Sequence, residues 1–217
     1  MKKKRTPSLV ELFVILLLIS AAGILLIPLP RRGERPAPPP TTNNPEESSR
    51  TLEEMQKFMN ERLETLITKT FLNGQFRVPE IQERYNLLSE NIREQYGKDF
   101  VWNAVSKYHP SSKLVVMAAG MMQGVPTITL SMPAVMDIWE AWRKLGMRDE
   151  SIELLFVVDW MHELDHLAGG NLPPEGEQNY PFEKWIGNER RTWAATCEHT
   201  LKPLIEKHQF PLSPREQ

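Results

Sequence analysis

Apolar positions along the chain follow several distinct rhythms, and each rhythm predicts an element. From Thr51 onward Leu52, Met55, Phe58 or Met59, Leu63 and Leu66 recur at three- and four-residue steps, the period of one helical face. The same stretch begins with "TLEE", which sets a threonine three residues before a glutamate as a capping box requires. A second helix is expected over Pro79–Tyr96, ended by Gly97. The period then shortens. "SSKLVVMAAG" and "VPTITLSMP" are short, rich in β-branched residues and joined by the glycines of "GMMQGVP", so residues 113–119 and 125–131 read as a strand pair. Pro133 opens a helix through "PAVMDIWEAWRKLG" that Gly146 closes. Ser151–Ala168 forms a further helix, apolar around most of its circumference in "SIELLFVV" and therefore central. After the loop "PPEGEQNYP" a last long helix runs from about Phe182 to Lys207. No internal repeat is visible, and residues 51–217 are expected to form one α+β domain, mostly helical with a small β-sheet.

A different pattern precedes that domain. Residues 1–8 form a basic tip, and Leu9–Leu29 is a run of 21 residues that is apolar apart from Glu11, Ser20 and Gly23. About 20 such residues cross a hydrocarbon core as a helix, so 9–29 reads as a transmembrane signal-anchor. The basic tip favours an inside N-terminus, which makes the expected location the cell membrane, single-pass, with the domain extracytoplasmic. "SAAG" also suits a cleavage site, but the apolar run continues through Ile27. "SLVELFVILLLISAAGIL" resembles the N-terminal helix of type IV pilins, with Thr6 and Pro7 standing where that family has its processing glycine. Residues 30–50 contain six prolines and almost no large apolar side chain, the composition of a semi-rigid linker.

Composition narrows the function classes. A formal net charge of −2 over 217 residues gives no overall basic surface, and no nucleic-acid partner is expected. The single cysteine, Cys197, excludes an internal disulfide and a cysteine-rich zinc site, and is expected to be a small buried hydrophobe.

Candidate chemistry lies in "DWMHELDHLAGG", residues 159–170. On a helix His162 and His166 lie about 40° apart and face one side, as two ligands of one Zn²⁺ do. Glu163 is rotated by about 100° from His162, close enough to act on a water at the ion. Burying two imidazoles and a carboxylate is costly unless they are hydrogen-bonded or metallated. Catalytic zinc usually takes three protein ligands, and the last helix offers Glu183, Glu189 and His199. Trp185, Ile186, Trp193, Thr196, Thr200 and Leu204 all fall within about 60° of Glu189, so that glutamate sits at the middle of an otherwise apolar face and is preferred. Glu183 is at the helix start, where it suits the dipole, and His199 is about 80° off the face centre.

Through "HELDH" the chain resembles the zincin metallopeptidases, and a glutamate on a following helix, within "NE" at Asn188 and Glu189, is similar to their gluzincin branch. That resemblance implies a zincin-like domain and a zinc-dependent peptidase with a peptide or protein substrate. It gives His162, His166 and Glu189 the metal and Glu163 the role of general base. Thermolysin-like members carry an aspartate one turn after the third ligand; Trp193 stands there instead, which leaves Asp159 or Asp165 to orient a histidine. Tyr180 is a candidate oxyanion partner, and Trp185 and Trp193 are read as core. "HELDHLAGG" is also similar to the last motif of peptide deformylases, whose third ligand is an upstream cysteine that this chain lacks. A noncatalytic metal-stabilised surface module and a pilin-like assembly subunit are the readings from other classes. A fourth protein ligand such as His199 would favour the former.

Overall fold

The computed structural model describes residues 50–68, 79–109, 113, 115–170, 172 and 181–207. The expected anchor at 9–29, most of the linker, most of the loop before the last helix and Tyr180 lie outside the described residues. Among those described, no helix is long and apolar enough to cross a membrane.

Helix α1 (Leu52–Phe58) starts on the expected capping box: Glu54 N donates to Thr51 Oγ1 at 3.1 Å, and Thr51 N donates to the Glu54 carboxylate at 2.8 Å. It runs on through a wide π-turn (Met59–Leu63) into a last turn at Glu64–Leu66, burying Met55, Leu63 and Leu66. Just ahead of it, Arg50 grips two acids of a later helix. Its Nη2 donates to Asp137 at 2.8 Å and its Nη1 to Glu140 at 3.1 Å, while the Tyr108 hydroxyl donates to the same Asp137 at 2.6 Å. Helix α2 (Pro79–Tyr96) buries Ile81, Tyr85, Leu88 and Ile92, one stripe at helical spacing, and ends as expected at Gly97, whose φ of 64° is left-handed.

The sheet departs from expectation in two ways. It has three strands, β1 (Val101–Val105), β2 (Met117–Met122) and β3 (Val125–Ser131), in the order β1-β3-β2. β1 pairs in parallel with β3, so it belongs to the sheet only through a non-local contact, and its "VWNAV" carries too little alternation to announce it. β2 begins and ends later than the expected 113–119. The reason is the turn: Gln123 and Gly124 have φ of 52° and 72°, a two-residue type I′ hairpin, so Gly120 to Met122 stay in the ladder. Pro126 is tolerated in the central strand because it lies opposite Met121, one residue before the β1 pairing begins at Thr127.

Helix α3 (Met132–Lys144) follows, with Pro133 in its first turn and Gly146, at φ 87°, beyond its end. Helix α4 (Asp149–Ala168) is the axis of the fold. Thirteen of its twenty residues are buried, so most of its circumference must be walled by other elements. Trp139 of α3 stacks on Phe156 at 5.4 Å, and Arg62 and Arg143 both pair with Asp149 at its start. The last helix, α5 (Phe182–Thr196), widens into a π-segment (Cys197–Leu201) and continues as α6 (Lys202–Lys207), covering the expected span. The described fold is α+β, mostly helical, with α2, α5 and β2 all packed on α4.

Candidate metal centre

α4 and α5 bring three side chains to one point. His162 Nε2 and His166 Nε2 are 3.1 Å apart; Glu189 places one carboxylate oxygen 3.4 Å from the former and the other 3.2 Å from the latter. Two donors each about 2.05 Å from a tetrahedral zinc are separated by about 3.3 Å, so the spacing of these three matches the edges of a zinc tetrahedron. Both histidines are buried and Glu189 is 19% exposed, so the centre is more open on its carboxylate side than on its imidazole side. Among the described residues this is the one group of three or more His, Cys, Asp or Glu with such convergence. The other candidates for the third position point away: Glu183 is exposed at the start of α5, and His199 is exposed in the π-segment. Cys197 is half-buried, not fully buried as expected, and burial pushes its thiol up.

Hydrogen bonding sets the tautomers. Thr192 Oγ1 lies 3.2 Å from His166 Nδ1 and also 3.0 Å from the Asn188 carbonyl, which can only accept. The single hydroxyl proton therefore goes to Asn188, and His166 Nδ1–H donates to Thr192, leaving Nε2 with its lone pair at the centre. Thr196 repeats the device one turn on. Its hydroxyl has two acceptors, Asp165 at 2.8 Å and the Thr192 carbonyl at 3.0 Å, so the contact at 3.4 Å is His162 Nδ1–H donating to Thr196. Two threonines thus occupy the places where carboxylates commonly hold zinc-bound histidines. Asp165, one of two residues expected to orient a histidine, acts at one remove, through Thr196. It also pairs with Arg84 of α2, so one buried carboxylate ties α2, α4 and α5 together beneath the site. Trp193, expected to be core, stacks on the His162 ring at 4.0 Å and 21° and blocks its rotation.

Burial alone would push the Glu189 carboxyl up, but an Nε2–H of either histidine, present when that ring is charged, bonds to it and together with the charge holds it down at about 2. Burial opposes a charge on His166, yet the Glu189 bond and the nearby Glu163, Glu189 and Asp165 carboxylates outweigh it and raise its pKa. Without a cation His166 therefore holds a proton more firmly than a free imidazole does, and a metal ion would have to displace it. Glu163 stands beside the centre, and its Oε2 accepts from Ala119 N of β2 at 2.6 Å. β2 has its inner edge on β3: Ser131 N donates to Val116 O at 2.9 Å, and Met121 faces Pro126, which has no N–H. By alternation Ala119 and Met121 turn their backbone groups to the other edge, toward Glu163.

No protein-family model matches this chain, and no curated protein or solved structure does. Sequence reasoning missed Thr192, Thr196, Arg84 and the Ala119 amide as parts of the site. One signal was present, since Thr192, Thr196 and Thr200 recur every four residues on the face that carries Glu189.

Proposed function

We propose that the chain is a membrane-anchored, zinc-dependent peptidase of zincin type, its domain outside the cytoplasm. The observation that carries this reading is the convergence of His162, His166 and Glu189 at tetrahedral spacing, with Glu163 beside them and no fourth protein ligand among the described residues. Zn²⁺ held there would supply an acidified water and polarise an amide carbonyl. The chain's own residues do the rest. Ala119 N–H fixes Oε2 of Glu163, which leaves Oε1 to take the proton of the attacking water and hand it to the departing amine. An extended peptide added to the outer edge of β2 would lie against Ala119 and Met121 and bring its carbonyl over Glu163. The hydroxyls of Thr192 and Thr196 keep the two imidazoles directed inward throughout.

The test uses the full chain in detergent micelles, as wild type and as Glu163→Gln, with metal content by mass spectrometry and cleavage of a quenched protein substrate. One zinc per chain in both, with cleavage in the wild type alone, is expected. A folded chain that takes up no zinc overturns the reading.

A further inference from the structure

Asp159 has no partner that the described fold explains. Taking about 100° per residue, Asp159, His162, Glu163 and His166 share an arc of about 100° on α4. Asp159 is one turn before Glu163. One and two turns further back, the same arc carries Leu155 and Ile152, both buried and apolar, so the partly exposed stretch of this arc starts at Asp159. The carboxylate is only partly exposed, and among the described residues it receives no hydrogen bond and no cation. Its charged neighbour is another carboxylate, Glu163. β2, which lies over α4, contributes only "MAAGMM" and no charge. A carboxylate set into a fold beside a like charge stays ionised only at a cost or takes up a proton, and among the described residues no cation stands by to hold it ionised.

We infer that Asp159 is the recognition group for a positively charged side chain, a lysine or arginine adjoining the bond that is cut. The inference rests on the peptidase reading and gives it a substrate class. A cation entering along the face of Glu163 meets an acceptor that lacks a donor, with apolar Leu155 and Ile152 below it to bound the reach. An apolar or acidic side chain in that place supplies no such charge and closes Asp159 off from water, ionised without a partner or protonated, so nothing is gained from the group on binding.

Recognition is read first without catalysis. Labelled peptides matched except for Lys, Arg, Leu or Glu at the varied position are titrated against zinc-loaded full-length Glu163→Gln in micelles. Lys and Arg peptides bind about tenfold or more tightly than the Leu peptide, as a desolvated charge pair requires, and Glu binds worst. Adding Asp159→Asn, of nearly the same shape, brings the Lys-to-Leu ratio close to one while zinc content holds. Equal binding of all four peptides, or a ratio that survives Asp159→Asn, overturns the inference. The cleavage arm separates the two claims: Asp159-dependent binding of Lys peptides by a wild type that cuts none of them removes the peptidase and keeps the recognition site.

Discussion

Replacing either threonine on α5 by valine keeps shape and volume and removes one hydroxyl, and the structure orders the consequences of the two changes in opposite ways. Thr196 donates to a buried carboxylate at 2.8 Å and only weakly holds His162, at 3.4 Å, a ring that Trp193 also pins by stacking. Thr192 donates to a backbone carbonyl and holds His166 at 3.2 Å, a ring met edge-on by His162 at 4.6 Å but with no indole stacked on it among the described residues. A hydrogen bond to a charged group contributes about 1.5–3 kcal/mol, and one to a neutral group about 1 kcal/mol. Thr196→Val therefore lowers unfolding stability of the metal-free chain by about 2–3 kcal/mol and Thr192→Val by about 1 kcal/mol. Loss of a histidine's outer partner weakens zinc by about 10–100-fold, and here the larger loss falls on Thr192→Val because His166 alone is released to rotate. Urea unfolding after chelation measures the first quantity, and competition against a fluorescent chelator the second. If one variant leads in both assays, or zinc affinity is untouched in both, the assignment of the hydroxyls as holders of Nδ1–H is wrong.

Zinc binding is expected to expel protons, because burial opposes a charge on His166 but Glu189 and its neighbours outweigh it and raise its pKa, so the metal competes with a proton there. Affinity then falls as pH drops through that raised value, and calorimetry in buffers of different ionisation enthalpy counts the protons released. Burial and the charge of Glu163 move Asp159 from 3.8 to about 7. The folded state thus holds a proton that the unfolded chain has lost, and stability present below the unfolded value drains away as pH rises from about 4 to 7. Asp159→Asn removes that decline and raises stability at pH 8 by a few kcal/mol, on the order of 1.4 kcal/mol per pH unit less what partial solvent access screens; melting curves at pH 5 and 8 decide it. Ala119→Pro deletes the amide that steadies Glu163 on an edge where proline is tolerated, so kcat falls by about tenfold or more with zinc content retained. Equal kcat in the proline variant would detach Ala119 from the reaction.

How much of this was legible before coordinates depended on whether the signal was local. Helices α2 and α3 carry their own punctuation in Gly97, Pro133 and Gly146 and, with α4, stand where the periodicity put them, while Gly124 announced the β2–β3 turn but not that β2 would run on to Met122. The three convergent side chains could be named because two share one helix at a fixed spacing and the third breaks an apolar face. β1 escaped notice because a short parallel edge strand draws its identity from β3, some 26 residues further on, and not from its own five residues. Trp193 and Asp165 were visible as residues but not as roles. Whether an indole fills a core or clamps an imidazole depends on helix-to-helix distance, on which periodicity is silent. The same holds for Arg84, which meets Asp165 across 81 positions of sequence.

Arg50 closes the proline-rich stretch and is clasped by Asp137 and Glu140 of α3 before α1 has begun. The described body is therefore pinned to α3 at its very first residue, so a pull on the chain at Arg50 would load those two ion pairs before it reached the first turn of α1.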